Sequence, residues 1–125
     1  MIKKTIVNVK GNDYEVQFPT VGQLQDIEAM KLALTNGRYA DMALGGLTTN
    51  IFALDSADAI SYFSVLIPTL KSDLNVKSWR DLDAMTTKQL IKDYKKFMKD
   101  WLKPLLDDLY NFDEEIEESE DNGEE

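Results

Sequence analysis

Apolar and polar residues alternate from the start of the chain to Phe18. Val7 and Val9 fall on one side of an extended backbone, with Ile6 and Asn8 on the other. Tyr14, Val16 and Phe18 then alternate with Glu15 and Gln17. A period of two marks a half-buried strand. Lys10-Gly11-Asn12-Asp13 separates the two runs, and Gly11, Asn12 and Asp13 tolerate the positive φ of a tight turn. The pattern predicts a hairpin within residues 1–18, with strands at 2–9 and 14–18. An isolated hairpin is marginal in water, so its apolar face must rest on other elements.

After Pro19 the period changes. Leu24, Ile27, Met30 (or the stem of Lys31) and Leu34 follow helical steps. Thr20 and Gln23 open this helix at capping-box spacing, and Asn36-Gly37 stops it. A shorter helix is predicted over 39–44, ending at Gly45-Gly46. Thr48-Thr49-Asn50 suits the cap of a turn, or of a helix starting near Ile51. Asp55 or Ser56 is expected to cap the more apolar segment 57–67, which stops at Pro68. Its Ile60, Phe63, Val65, Leu66 and Ile67 make it the expected central buried helix. One helical turn within 69–76 and another from Ser78 to Leu82 lead to the longest helix. Thr86 and Gln89 repeat the capping-box spacing there, and the pattern runs to about Lys103. Pro104 predicts a kink or a restart, after which Leu105, Leu106, Leu109 and Tyr110 resume the helical steps. The fold class is α+β, mostly α: an N-terminal β-hairpin packed on a small helical bundle, with a long C-terminal helix and a disordered acidic tail. One domain is expected over 1–112, its helices within 20–110, with the tail at 113–125.

Composition agrees with one core. The chain has 125 residues, 43% of them hydrophobic, which suits a single domain and is too apolar for a fully disordered protein. Cysteine and histidine are both absent. Disulfides, zinc or iron–sulfur sites of the usual ligand type, and nucleophile pairs built on Cys or His are thereby excluded. The formal charge of −9 comes from 23 acidic and 14 basic residues, and nine of the acidic ones lie in 113–125. Residues 1–112 are formally neutral. The tail has Ile116 as its only apolar residue, too little to offset the entropy of ordering it. No apolar run has the length of a signal peptide's core or of a membrane span, so a cytoplasmic site of synthesis is expected.

Candidate chemistry concentrates on the last helix. Leu90, Ile91, Tyr94, Phe97, Met98, Trp101, Leu102, Leu105, Leu106 and Leu109 form an apolar seam at steps of three and four. Lys88, Lys92, Lys95, Lys99 and Lys103, with Lys96 adjacent, form a basic stripe beside it. One reading is an ordinary amphipathic helix with its lysines in water. The sharper one is a protein-docking helix with Tyr94, Phe97, Met98 and Trp101 as anchors and Lys88, Lys92, Lys95, Lys99 and Lys103 as charged contacts. The tail either folds back on that stripe, reaches a basic partner, or serves only to solubilise. An exposed seam would favour self-association into a dimer or ring.

Nucleic-acid binding is disfavoured. Arg38 and Arg80 are the only arginines, and the tail would compete with phosphate for the lysines. Gly45-Gly46 has neither a Walker lysine nor a dinucleotide fingerprint around it. Asp55 with Asp58, Asp81 with Asp83, and Asp107 with Asp108 are carboxylate pairs without a companion base. Capping suits the first pair better than catalysis. The chain is therefore read as a non-enzyme that uses no cofactor and no metal.

The opening VNVKGNDYEVQFPTVGQLQDIEAMK, a short hairpin with an FPT junction into a helix, resembles small tail-assembly chaperones of tailed phages and related virion morphogenesis proteins. NGRYADMALGG, FALDSADAISYFSVLIPTLKSDL and the lysine-rich helix look like small structural proteins of such phages, including the crAss-like group. The resemblance spans residues 1–110. It implies action by protein–protein contact with other phage structural proteins (tail, tape-measure or connector components) and no catalytic residues. It also implies a place in the bacterial host cytoplasm during assembly, or in the virion. The other functional reading is a small acidic regulator that sequesters a basic or nucleic-acid-binding partner through its C-terminal tail.

Overall fold

The structure, a computed structural model, describes residues 3–45 and 48–111. Its element order is β1 (Lys4–Val9), β2 (Asn12–Gln17), α1 (Val21–Leu34), α2 (Tyr39–Gly45), α3 (Thr48–Leu66), α4 (Leu70–Asp73), a 3-10 turn (Trp79–Asp81), α5 (Ala84–Phe97), a π turn (Met98–Leu102) and α6 (Lys103–Tyr110). This is the expected small α+β fold, with the hairpin first and helices after it. Residues 46 and 47, the acidic run 113–125, and the expectations placed on them fall outside the described residues. No helix among the described residues is long and apolar enough to cross a membrane.

β1 and β2 pair antiparallel, with Val7 opposite Tyr14 and Thr5 opposite Val16. Val7, Val9 and Val16 are buried, while Ile6 is 60% exposed on the other face. The turn is tighter than its four expected residues. Val9 pairs with Asn12, so only Lys10 and Gly11 lie between the strands, with φ of 51° and 86°. Positive φ at both central residues is the two-residue hairpin turn whose twist matches the strands. Asn12 and Asp13 join β2 instead. Two long-range bonds seat the hairpin on the helices. The Lys10 backbone N–H donates to Asp93 Oδ2 at 2.9 Å, and the Tyr14 hydroxyl donates to Asp73 Oδ2 at 2.7 Å.

α1 begins where the capping box predicts. The Gln23 N–H donates to Thr20 Oγ1 at 3.2 Å, and Gln23 Oε1 accepts from the Thr20 N–H at 2.9 Å. It ends at Asn36 and Gly37, both left-handed, where the Gly37 N–H reaches back to the Leu32 carbonyl at 2.7 Å. α3 is the central helix and is longer than expected. Asp55 and Ser56 lie inside it and cap nothing. Ser56 Oγ donates to the Ala53 carbonyl at 2.8 Å, which lets a serine sit within a helix. Ala57, Ala59, Ile60, Tyr62, Phe63 and Leu66 of α3 are buried, and α1 and α2 pack against it.

α5 starts two residues before the predicted Thr86 cap. Asp83 is the capping residue: Oδ2 accepts from the Thr86 N–H at 2.9 Å and Oδ1 from the Thr86 hydroxyl at 2.6 Å. Gln89 does not turn back to close a box; its side-chain amide donates to Asp93 Oδ1 at 3.0 Å. A carboxylate accepts more strongly than a hydroxyl and suits the positive end of the helix dipole. The hydrogen bonds from Thr86 hold the Asp83 carboxyl below the usual range.

The chain divides into two compact units, Met1–Lys95 and Lys96–Glu125, with the division inside α5. The hydrophobic pattern of the sequence carries no break at that point. In the second unit the helical backbone widens at Met98–Leu102, where the Lys103 N–H bonds to the Met98 carbonyl five residues back. α6 then restarts with Pro104 in its first turn. Pro104 explains both features: its ring collides with a carbonyl four residues earlier, and a widened turn just before it relieves that collision. The extra residue per turn is why Phe97 and Leu102, five apart, are both buried.

Two outcomes test these assignments. Asp83→Ala should lower the urea midpoint, whereas Gln89→Ala should leave the start of α5 intact. Because the folded-state pKa of Asp83 is depressed, its contribution is present above the ordinary carboxylate value of about 4 and is lost as the pH falls below it. The wild-type advantage over Asp83→Ala should therefore close in acid. Ser61 Oγ is fully buried without a hydrogen-bond partner among the described residues. Ser61→Ala should raise stability by up to about 1 kcal/mol, and a comparable loss would show that the hydroxyl is satisfied.

Candidate functional site

A lysine sits inside the first unit. Lys31, on α1, is only 8% exposed. Its stem follows the apolar face begun by Leu24 and Ile27, and its ammonium meets charge and aromatic faces from three helices. Glu28 Oε1 of α1 lies 3.1 Å away and Asp58 Oδ1 of α3 lies 3.9 Å away. The rings of Tyr39, from α2, and Tyr62, from α3, each have their centroid 5.1 Å from the nitrogen. The Tyr39 hydroxyl donates a short hydrogen bond to the same Asp58 oxygen. Burial raises the Asp58 carboxyl above its ordinary value, against the opposing pull of Tyr39 and Lys31. Burial, then the neighbouring Asp58 carboxylate, raises the Tyr39 phenol. Tyr94 of α5 packs on this group, 5.4 Å from Tyr62 and 6.0 Å edge-on from Phe63. Nearby, Lys95 Nζ of α5 pairs with Asp55 Oδ2 of α3 at 3.0 Å.

The same helices wall a half-open cleft of ≈ 360 Å3. Ala57 and Ile60 of α3, with Trp79 of the 3-10 turn, give it buried apolar surface. Leu34, Met42 and Leu82 add apolar wall, and Phe52 contributes a ring that is 46% exposed. Arg38 and Arg80 are the only charged residues among those described as lining it. Both are exposed, and neither has an ion-pair partner among the described residues. Arg80 Nη2 donates to Asn36 Oδ1 at 3.3 Å, so the left-handed stop of α1 also positions a guanidinium.

The predicted docking residues have mixed placements. Tyr94 and Phe97 are buried, so the structure reassigns them from partner anchors to packing. In the first unit Leu90 and Ile91 are buried with Tyr94, whose ring meets Tyr62 and Phe63. Met98 and Trp101 are half-buried, and Trp101 stacks at a tilt on Phe97, 5.6 Å between centroids. In the first unit Lys88, Lys92 and Lys95 are exposed along one face of α5, with Lys95 held by Asp55. In the second, Lys99 and Lys103 are exposed, and Lys103 pairs with Asp107 at 3.0 Å. No cleft residue was singled out from sequence as a contact. They come from separate segments, and none carries a motif.

Asp58 faces a lysine and a tyrosine, Asp55 a lysine, and Asp83 a helix end. Among the described residues no three His, Cys, Asp or Glu side chains gather where they could hold a metal ion. None of the protein-family models, curated proteins and solved structures compared with the chain matches it.

The lysine cluster makes a stability prediction. Lys31→Ala should cost about 3 kcal/mol in urea unfolding, from lost stem packing and a broken buried pair. Lys31→Met, which keeps the stem, should cost about half that. A raised carboxyl holds its proton more tightly in the folded state, so ionised Asp58 weakens the fold at neutral pH and ceases to do so as pH falls through its raised value. Protonation also removes its attraction for Lys31. The gap between wild type and Lys31→Met should therefore narrow in acid; a gap constant with pH would mean that Asp58 and Lys31 are not coupled.

Proposed function

We propose that this chain is a non-catalytic protein-binding component of tailed-phage assembly, either a tail-assembly-chaperone-like protein or a minor virion component. The observation that carries the binding reading is the cleft. It is a half-open hollow of mixed lining, with the Phe52 ring exposed at its side and two guanidiniums at its edge that have no ion-pair partner among the described residues. Arginine and aromatic residues are also the types that most often dominate interface energetics. The phage setting rests on the resemblance of the hairpin, FPT junction and following helices to tail-assembly proteins. On this reading the chain works in the host cytoplasm during assembly, and its partners are tail, tape-measure or connector components. The exposed lysines of α5 serve as secondary contacts that steer encounter, since exposed charges influence association rate more than affinity.

Co-expression with the genes that neighbour it, followed by affinity capture and mass spectrometry, tests this reading. Wild-type chain should recover one virion protein in stoichiometric amount. Phe52→Ser, folded by circular dichroism, should recover at least about tenfold less, as expected for an interface anchor. Recovery of no virion protein, with no chain detected in purified particles, would overturn it.

A further inference from the structure

We infer that the cleft between α1, α2, α3 and the 3-10 turn receives an acidic segment of a partner protein that carries one or two large apolar side chains between its carboxylates. The inference rests on the protein-binding reading and specifies the partner's chemistry.

Three observations lead there. First, the cleft offers apolar surface beside its polar groups: Ile60 and Trp79 line it and are almost wholly buried, and Phe52 is left half exposed at its side. An apolar side chain seated there would take the exposed face of Phe52 out of water. Second, both arginines of the chain stand at this one cleft, while every other basic residue is a lysine. A guanidinium presents a planar fork that matches a carboxylate with two parallel hydrogen bonds, which an ammonium cannot do. Third, the two forks are left uncompensated. No carboxylate among the described residues pairs with Arg38 or Arg80, so both forks are open to one from outside. Among the described residues that line the cleft, Arg38 and Arg80 carry the only charges.

The size of the hollow points the same way. At ≈ 360 Å3 it lies near the lower end of ligand-pocket volumes, and it is half-open. A compact small molecule would stay largely wet there. A peptide passing over the opening can lower one or two side chains into it and keep its backbone in solvent. Carboxylates before and after the anchor then reach the two guanidiniums.

A fluorescein-labelled peptide, Asp-Glu-Phe-Glu-Glu-Leu-Glu, acetylated and amidated, tests this against the full chain by anisotropy. Saturable binding is expected, weakening with added salt because the rim charges are exposed. Replacing Phe and Leu in the peptide by Ser should weaken it at least about tenfold, as should Arg38→Glu combined with Arg80→Glu in the protein. The charge-reversed protein should in turn bind the peptide in which Lys replaces every acidic residue, a gain that misfolding cannot mimic. The inference is overturned by no saturable binding, by equal binding to the charge-reversed protein, or by equal binding of the Ser peptide. It is also overturned if oligothymidylate competes at the same sites as strongly as the peptide, or if the cleft is closed by a second copy. The second copy would show as a dimer in sedimentation velocity that Arg38→Glu with Arg80→Glu dissociates. If a virion protein is captured in a Phe52-dependent way that ignores both arginines, the assembly role stands and this inference alone fails.

Discussion

An ammonium group inside a protein must find its compensation there, and Lys31 finds it on three helices at once. Leaving a charge unpaired in the interior costs several kcal/mol, so the elements that supply its partners are held to one arrangement. Glu28 is on the lysine's own helix, Tyr39 opens α2, and Asp58 and Tyr62 lie on α3. The Tyr39 hydroxyl bonded to Asp58 closes the circuit. Helix packing by apolar side chains alone tolerates small rotations; a cation shared between two rings and two carboxylates does not. α5 enters through Tyr94 on Tyr62 and Phe63, and through Lys95 on Asp55.

The cleft follows from that arrangement. The end of α1, α2, α3 and the 3-10 turn, with Leu82, Ala84 and Thr87 after it, all supply residues to its walls. Asn36 serves two ends there: its left-handed backbone stops α1, and its side chain receives Arg80.

Local chemistry was legible wherever neighbours in sequence are also neighbours in space. The Thr20–Gln23 box, the Asn36-Gly37 stop, the Ser78 turn, the Pro68 end of α3 and the Pro104 restart all depend on a few adjacent residues. The departures share one cause. Asp55 and Ser56 resemble a cap, but Asp55 is claimed by Lys95, far along the chain, and Ser56 can bond back within the helix. Gln89 resembles the second half of a capping box, but Asp93 takes its amide while also fastening the hairpin turn. Asp83 shows in the sequence only as one of a pair of carboxylates, and it caps α5 in place of Thr86. In each case two local options were comparable, and a contact from elsewhere chose between them.

From the order of residues alone follow the hairpin, the helical majority, the apolar core of α3 at Ile60, Phe63 and Leu66, and the exposure of the lysine stripe from Lys88 to Lys103, because periodicity and capping act over one or two turns. The same order points to Tyr94 and Phe97 as outward anchors, since an apolar seam reads alike whether its cover is a partner or the chain itself. Only the tertiary structure decided that these rings face inward and that Lys31 is a buried cation. It also gathered Arg38, Phe52 and Arg80, which share no motif, around one hollow. Burial and charge pairing are properties of three-dimensional neighbours, and no pattern along one segment records which distant segment will arrive.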